Sequence, residues 1–327
     1  LHGTGNLPVR RVLKELGFEH VYVVKEQELP DGNFPTVAYP NPESPKAFEL
    51  ALKLAKEVDA DIVLATDPDA DRLGVYCKDT KSGEYVTFTG NMSGMLIAEY
   101  ILREKNAMGT MPKNPALVET IVTTDMAKAI AKAYGVALIE VLTGFKYIGE
   151  QIGLLEKDGE ADRYIFGFEE SYGYLSGSFV RDKDAVNASL LICEMFVWYK
   201  SQGKTLAGAL EALYAQYGFF EAKLLSFTFE GSAGFAHMTE LLDSLRLSPP
   251  AELAGEAVRQ VIDYDRDETG LPRSNVLRFI FGGGEVVVRP SGTEPKLKIY
   301  LTAARESREK SRAMLNLLEW QLTDWAK

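Results

Sequence analysis

The sequence predicts an α/β fold class: two consecutive α/β domains with mainly parallel sheets, followed by a smaller α+β C-terminal domain. Short apolar runs of strand length alternate with helical patterns over the first two thirds of the chain, which is typical of strand–helix–strand crossovers. The last third instead combines separate strands with a long amphipathic helix. A chain of 327 residues is long enough for two or three domains.

The first domain is expected to cover residues 1–88. Its elements alternate between helix and strand, except for an irregular proline-rich stretch over residues 30–42. From the apolar spacing we expect a helix over 9–16, a buried strand over 20–24, a helix after Pro45, a strand over 62–65 and a β-rich return over 73–88.

The second domain is expected at residues 89–205 and the third at residues 219–327. In the second domain, strands near 116–122, 136–141 and 164–168 alternate with helices. The helix over 185–199 is apolar nearly all round and is therefore expected to be deeply buried. In the third domain we expect strands near 223–229, 276–281, 285–289 and 298–302 and a long C-terminal helix.

Composition excludes several classes of partner. The formal net charge of −11 argues against nucleic acid, because a phosphate backbone needs a basic face. Apolar residues make up 46% of the chain, yet no stretch reaches the length of a membrane span, and no signal peptide is present. Cys77 and Cys193 lie in apolar surroundings far apart in sequence, which indicates a reducing, cytoplasmic setting.

The opening residues carry an unusual pattern. A small-residue loop, Leu1 to Asn6, runs directly into a helical pattern. Such a loop normally follows a strand, and that strand is missing. We therefore expect the chain to begin inside, or just before, a domain.

The most informative motif is the acidic loop, Asp67-Pro68-Asp69-Ala70-Asp71-Arg72. It follows an apolar run, so a strand there would deliver it to the edge where open α/β sheets place their ligands. Alternation in an extended segment would turn Asp67, Asp69 and Asp71 toward one side.

Three converging carboxylates suit a hard divalent cation, and Mg²⁺ is the first candidate. An EF-hand also begins with alternating aspartates, but it needs Gly at its sixth position and Glu at its twelfth. Arg72 and Lys78 occupy those positions here. The alternative interpretation is a solvated acidic turn, although Arg72 beside the carboxylates suggests an anion bound on the metal.

A second motif runs from Arg289 to Lys296 and joins two predicted strands. Two hydroxyls, successive N–H groups and a glycine that allows close backbone approach can surround an anion there, while arginine binds phosphate bidentately. We predict a phosphate-binding loop that uses Arg289, Ser291, Gly292 and Thr293. The alternative is an ordinary polar hairpin.

Polar residues also follow the strands of the second domain. Glu169 and Ser171 are two apart and can project together onto vicinal sugar hydroxyls, although a capped turn has the same pattern. Lys146 follows another strand and could contact phosphate or sugar oxygens. Arg181 and Lys183 open the apolar helix and could face the same cleft, or simply form a charged helix N-terminus.

Taken together, these motifs resemble the α-D-phosphohexomutase family, and within it the bacterial-type phosphoglucomutases. The match runs in order along the whole chain. The opening His2-Gly3-Thr4-Gly5, the segment from Phe34-Pro35-Thr36 to Pro40-Asn41-Pro42-Glu43, and the acidic loop look like the family's second domain. Residues 143–146, 167–173 and 181–184 look like its third domain, and 289–296 like the fourth domain's phosphate loop.

The resemblance implies a reaction and a set of roles. Glucose 1-phosphate and glucose 6-phosphate would be interconverted by Mg²⁺-dependent phosphoryl transfer through a bisphosphorylated sugar. The three aspartates would hold Mg²⁺, and Arg72, with Lys146, would serve catalysis. The remaining motif residues would bind hexose phosphate and hexose bisphosphate: Glu169, Ser171, Arg181, Lys183, Arg289, Ser291, Gly292 and Thr293.

One departure from the family pattern limits these expectations. The family's nucleophile is a serine followed by histidine in an N-terminal domain, and no serine precedes a histidine here. The chain is therefore expected to lack the phosphoserine domain of its parent and to be inactive alone. Alternatives are a phosphomannomutase or phosphopentomutase, a non-catalytic sugar-phosphate-binding module, and a phosphatase with Asp67 as nucleophile.

Overall fold

The computed structural model describes residues 1–79, 81–291 and 295–326. The chain divides into two compact units, Leu1–Leu213 and Tyr214–Lys327. Both combine helices and sheets, so the predicted mixed α/β class is confirmed. Across the described ranges, no helix combines the length and the apolar character needed to cross a membrane.

The first unit alternates helices with short strands. Its helices are α1 (Asn6–Glu15), α2 (Glu49–Val58), α3 (Gly90–Ala107), α4 (Met126–Tyr134), α5 (Phe145–Lys157) and α6 (Ala185–Ser201), and α7 (Leu206–Tyr217) crosses into the second unit. Its strands are β1 (Ile62–Thr66), β2 (Leu73–Lys78), β3 (Tyr85–Phe88), β4 (Ala116–Thr120), β5 (Ala137–Val141), β6 (Tyr164–Phe168) and β7 (Tyr174–Ser176).

The first sheet has the order β1–β2–β3, and both pairings are antiparallel. Parallel pairing was expected and does not extend to this sheet. Only residues 67–72 connect β1 to β2, whereas a parallel crossover needs a dozen residues or more. The hairpin register, Ile62 opposite Cys77 and Thr66 opposite Leu73, places the acidic loop at the tip.

The strand expected over residues 20–24 is absent from the described chain. These residues are not in a helix or strand, and the side chains of Val21 and Tyr22 are 37% and 55% exposed. A β-prone run forms a strand only against a partner. No described segment pairs with this one.

The second sheet confirms the parallel prediction. Its order is β5–β4–β6–β7, β4 runs parallel to both β5 and β6, and β7 returns antiparallel to β6. Ile148 and Ile152 of α5 pack with Val118 and Val141 of the sheet. The carboxyl ends of β5 and β6 consequently meet at one edge, where two of the predicted motifs begin.

Helix α6 is deeply buried, as its apolar sequence predicts. It packs against α1, α3 and β7, and it begins with a side-chain cap, because Asp184 accepts the N–H groups of Val186 and Asn187. Its buried residues lie on several faces: Ala185, Ala188, Ser189, Leu191, Ile192, Cys193, Met195 and Tyr199.

In its described residues, the second unit combines an antiparallel sheet with helices, which agrees with the predicted α+β class. The sheet order is β8–β13–β12–β11–β10–β9. The elements are β8 (Phe219–Thr228), α8 (Gly231–Leu247), β9 (Glu252–Leu253), β10 (Glu256–Asp263), β11 (Leu277–Phe281), β12 (Gly284–Pro290), β13 (Lys296–Arg305) and α9 (Arg308–Thr323). The predicted phosphate loop follows β12 directly.

Candidate active site

The acidic loop is folded around the Asp67 side chain. Asp67 Oδ1 accepts the backbone N–H groups of Asp71 at 2.9 Å and Arg72 at 2.8 Å. The N–H of Ala70 donates to the Asp67 carbonyl, and Ala70 adopts a left-handed conformation with φ of 59°. The loop is thus a compact turn and not the extended segment that the alternating aspartates suggested.

The electrostatics of this turn follow from its burial. Burial raises the pKa of Asp67 to about 6, with smaller upward contributions from the charges of Asp69 and Asp71. The N–H of Arg72 and its guanidinium oppose this rise. A carboxylate in this environment releases its proton more readily when a cation binds nearby.

The three aspartates take different partners. Asp71 Oδ2 lies 2.9 Å from the Lys183 ammonium nitrogen, Asp67 is bonded to the turn, and Asp69 is exposed. Within the described ranges, no three His, Cys, Asp or Glu side chains are grouped as a metal would require. The donor types suit Mg²⁺, but their expected convergence on one point does not occur.

Arg72 is oriented by two carboxylates. Its guanidinium forms an ion pair with Glu43, and its Nε lies 3.9 Å from Asp67 Oδ2. Glu43 belongs to the Pro40-Asn41-Pro42-Glu43 segment, but the sequence predicts no role for its side chain. Its contact with Arg72 spans 29 residues, so no local spacing reveals it. Glu43 is a positioning residue for Arg72.

The acidic loop is joined to the loop around Glu169 through the backbone. The N–H of Leu73 donates to the Tyr172 carbonyl at 3.0 Å, and Arg72 and Gly173 form an isolated antiparallel bridge. A side chain at Gly173 would be obstructed, because its Cβ would lie 2.5 Å from Lys183 Cδ. Two motifs about 100 residues apart in sequence therefore form one site.

Glu169 is buried at the centre of this site. Its Oε1 accepts the N–H of Gly144 at 3.0 Å, where Gly144 has φ of 122°. Burial raises the pKa of Glu169, and the charge of Lys183 opposes the rise. Gly144 belongs to the predicted motif at residues 143–146, so the strand ends of β5 and β6 do converge.

Two predicted residues, Lys146 and Arg181, have partners outside this cluster. The Lys146 ammonium is exposed above the Tyr147 ring, 4.8 Å from its centroid. Arg181 forms an ion pair with Glu156 and does not join Lys183. Ser171 is half-buried beside Glu169 in the loop.

In the second unit, the predicted phosphate loop lies between strands β12 and β13, as the sequence predicts. The N–H of Ser291 donates to the Lys296 carbonyl at 2.7 Å and closes the loop. Arg289 Nε is buried and has no hydrogen-bond partner among the described residues. Gly292 and Thr293, also predicted to bind phosphate, lie outside the described residues.

Three family models match the chain in order. They are the phosphoglucomutase/phosphomannomutase α/β/α domain II at residues 1–83, domain III at 89–217 and the C-terminal domain at 245–316. Together they cover every predicted motif, whereas most of helix α8 (Gly231–Leu247) lies between the second and third matches.

Relatives identified by sequence support the same family assignment. The phosphoglucomutase of Staphylococcus haemolyticus is 39% identical over 313 residues, covering 92% of this chain and 56% of the relative. The phosphoglucomutase of Staphylococcus epidermidis is 37% identical over the same length, with the same coverage of both chains. The chain thus spans about half the length of these relatives.

Solved structures share the fold. A phosphoglucomutase/phosphomannomutase family protein from Burkholderia thailandensis aligns with a TM-score of 0.68 at 19% identity, covering 99% of this chain and 59% of that one. The open form of pp63/parafusin phosphoglucomutase from Paramecium aligns with a TM-score of 0.62 at 21% identity, covering 92% and 52%. The chain belongs to the phosphoglucomutase/phosphomannomutase family of α-D-phosphohexomutases.

Proposed function

We propose that the chain forms part of a phosphohexomutase that interconverts glucose 1-phosphate and glucose 6-phosphate through a bisphosphorylated sugar. The carrying observation is the backbone pairing of the acidic loop with the Glu169 loop, through Leu73 and Tyr172. It brings the groups that we propose to bind the phosphoryl oxygens and those that we propose to bind the sugar hydroxyls close together. Relatives at 37–39% identity are phosphoglucomutases, which favours glucose over mannose.

Mg²⁺ is the proposed cofactor, with Asp67, Asp69 and Asp71 as its ligands. Carboxylate oxygens are suitable donors for this ion, and the Lys183 ammonium beside Asp71 already compensates negative charge there. Mg²⁺ in this loop would neutralise the charge of phosphoryl oxygens. Its binding requires the three side chains to turn toward a common point.

Arg72 is proposed to bind the oxygens of the transferring phosphoryl group. Its ion pair with Glu43 holds the guanidinium in place before the substrate arrives, so little reorganisation is needed. Lys146 is proposed to assist from the start of α5. Its exposed ammonium group has room to turn toward a substrate oxygen.

Glu169 and Ser171 are proposed to hydrogen-bond the sugar hydroxyls, and Lys183 and Arg181 are proposed as further substrate-binding residues. The Glu169 carboxylate keeps Oε2 available while Oε1 binds the Gly144 N–H. For Arg181 to take part, it must exchange Glu156 for the substrate.

In the second unit, Arg289, Ser291, Gly292 and Thr293 are proposed to bind a phosphate that does not react. The buried Arg289 Nε, which has no protein partner within the described ranges, supports this role. A charge-assisted, bidentate contact from this guanidinium would contribute roughly 1.5–3 kcal/mol.

The division into domains at 1–88, 89–205 and 219–327 remains part of the proposal. So does the inactivity of the 327-residue chain alone. No serine precedes a histidine in it, so it offers no counterpart of the family's phosphoserine.

A cytoplasmic setting is proposed from the two buried free cysteines, Cys77 and Cys193.

The metal proposal is tested by calorimetric titration of the chain with MgCl₂. Asp69→Asn should weaken Mg²⁺ binding by about tenfold or more, because one anionic ligand is lost. Asp158→Asn is the matched control, since Asp158 is exposed on α5's C-terminal side and should leave affinity unchanged. Equal affinities for all three proteins would remove the acidic loop from the metal site.

The activity proposal is tested with a coupled dehydrogenase assay on glucose 1-phosphate. The purified chain should give no turnover, even with glucose 1,6-bisphosphate as primer. Robust turnover would require a phosphoryl carrier within these 327 residues and would overturn the proposed incompleteness. A phosphoaspartate trapped at Asp67 would instead favour a phosphatase.

A further inference from the structure

The Pro40–Glu43 segment lies beside Arg72, although the proposed reaction gives the segment as a whole no role. The segment packs closely on β2, because a Cβ added at Gly74 would lie 2.8 Å from the Pro42 carbonyl oxygen. Gly74 follows Arg72 by two positions in the chain, and Glu43 forms an ion pair with the Arg72 guanidinium. The segment and this guanidinium are therefore neighbours in space.

The backbone of the segment is held on several sides. Each of its two prolines fixes its own φ and also restricts the residue before it. The Asn41 N–H donates to the Tyr39 carbonyl at 2.9 Å, and the Ser44 N–H donates to the Asn41 carbonyl at 3.0 Å. Asn41 itself is buried, with 9% of its surface exposed. The segment therefore has little conformational freedom to lose when a ligand binds nearby.

The Asn41 side chain bonds both the backbone and the carboxylate of Glu43. Its Oδ1 accepts the Glu43 N–H at 2.8 Å, and this donor fixes which way the amide points. Its Nδ2 donates to Glu43 Oε1 at 3.3 Å and to the Tyr39 hydroxyl oxygen at 3.4 Å. Glu43 Oε1 is also the oxygen that accepts the Arg72 guanidinium. Asn41, Glu43 and Arg72 thus form a continuous chain of contacts.

The ion pair alone would give Arg72 little order. The Arg72 and Glu43 side chains are 32% and 35% exposed, and exposed ion pairs contribute little because both side chains lose rotamer freedom. A carboxylate that Asn41 already holds has lost that freedom beforehand. The guanidinium therefore meets a fixed partner, which lowers the cost of ordering it.

Glu43 also lies close to the loop of Glu169. Burial raises the pKa of Tyr172 to about 12, and the nearby charge of Glu43 adds to the rise. The Tyr172 carbonyl in turn accepts the N–H of Leu73. Asn41 therefore holds a carboxylate that lies where the two loops of the candidate site meet.

We propose that Asn41 is a positioning residue of the candidate site, which fixes the Glu43 carboxylate and through it the guanidinium of Arg72. Asn41 itself does not touch the substrate. The inference rests on the proposed role of Arg72 in binding phosphoryl oxygens. Loss of the Asn41 amide should loosen Arg72 in the free protein and, as a consequence, weaken sugar-phosphate binding.

The Nε–H signal of Arg72 in proton–nitrogen NMR spectra tests the positioning role without any ligand. The signal is assigned by its loss in Arg72→Lys. Its order parameter should exceed about 0.8 in the wild type and fall below about 0.6 in Asn41→Ser, which keeps a side-chain oxygen for the turn but lacks the amide donor. Asn33→Ser is the matched control and should change nothing, because the Asn33 amide donates to the Asp31 carboxylate at 3.1 Å in the same proline-rich stretch.

A second variant and a double mutant test the route through Glu43. Asn41→Asp keeps the size and the Oδ1 acceptor of the side chain, but it cannot donate to a carboxylate, so it should lower the order parameter as well. Glu43→Ala should loosen Arg72 to the same extent, and adding Asn41→Ser to it should have no further effect. A further loss in that double mutant would show that Asn41 acts by another route and would overturn the proposal.

Titration with glucose 6-phosphate, followed at the same Arg72 signal, separates this inference from the proposed function. Asn41→Ser should raise the Kd about twofold to tenfold, and Asn33→Ser should leave it unchanged. An Arg72 signal that loosens in Asn41→Ser but never responds to glucose 6-phosphate would support the positioning role and contradict the phosphoryl-binding role of Arg72. Equal order of Arg72 in the wild type and in both Asn41 variants would overturn the inference.

Discussion

The Lys183 ammonium nitrogen lies 2.9 Å from Asp71 Oδ2 and so links the acidic loop to the segment that leads into α6. Burial alone would lower the pKa of Lys183, but its bonds to Asp182 and Asp71 outweigh burial and raise it. Its stem covers Gly173, which belongs to the loop of Glu169. One side chain thus contacts both halves of the site in the first unit.

A double-mutant cycle tests this contact. Gly173→Ala should lower the free energy of unfolding by about 1–3 kcal/mol, because the new Cβ would overlap the Lys183 stem. In a Lys183→Ala background the cost should shrink, with a coupling of about 0.5–3 kcal/mol. Denaturant unfolding followed by circular dichroism measures all four proteins, and equal costs in both backgrounds would contradict the contact.

Two helical glycines should respond oppositely to alanine. Gly94 of α3 faces the Phe168 ring, whose Cδ2 would lie 2.1 Å from an added Cβ, whereas nothing lies within 4 Å at Gly153 of α5. Gly153→Ala should stabilise by about 0.5–1 kcal/mol through helix propensity. Gly94→Ala should destabilise by about 1–3 kcal/mol through overpacking. Thermal unfolding measures both, and a stabilised Gly94→Ala variant would refute the close packing of α3 on β6.

Asp67 should make stability depend on pH. Its pKa is about 6 in the folded chain, against an ordinary value of 3.8, so the folded state holds the proton to higher pH than the unfolded state. The stabilising contribution is complete below about pH 4 and is lost as pH rises through 6. At pH 7.5, Asp67→Asn should therefore be more stable than the wild type, by about 1–3 kcal/mol.

The control for this prediction is the same pair of proteins at pH 4, without added metal. There the advantage of Asp67→Asn should largely disappear, because the wild-type carboxyl is protonated in the folded state and only partly ionised in the unfolded state, where its pKa is near the ordinary 3.8. A difference that stays constant from pH 4 to 7.5 would show that the substitution acts through packing and not through ionisation.

Arg289 should dominate phosphate recognition in the second unit. Arg289→Ala should weaken binding of inorganic phosphate by about tenfold to a hundredfold, since a charge-assisted contact is lost. Arg273→Ala is the matched control, because Arg273 is an exposed arginine of the same unit. Titration followed by NMR measures both. Similar weakening by the two variants would indicate a nonspecific charge effect.

Local sequence signals located the motifs better than they described side-chain geometry. The acidic loop was placed correctly after β1, because an apolar run followed by small polar residues marks a strand end. Its carboxylates were expected to point together, but Ala70 turns the chain and Asp67 bonds its own backbone. That outcome depends on the turn's hydrogen bonds, which residue spacing does not encode.

Ion pairs between residues far apart in sequence were the second feature that the sequence did not predict. The ion pair of Arg72 with Glu43 and that of Arg181 with Glu156 join residues 29 and 25 positions apart. Neither pair shares a helix face or strand register that could be read in sequence. Residues 20–24 were predicted as a strand on composition alone, whereas a strand also needs a neighbour.

The central claim is that the acidic loop and the Glu169 loop form one sugar-phosphate site, and NMR mapping of glucose 6-phosphate binding tests it most directly. In the presence of Mg²⁺, the backbone amides of Gly144, Ser171 and Gly173 should shift together and saturate with a single dissociation constant. The amide of Gly153, on the open face of α5, should not move. Saturable binding that leaves Gly144, Ser171 and Gly173 unperturbed would contradict the account.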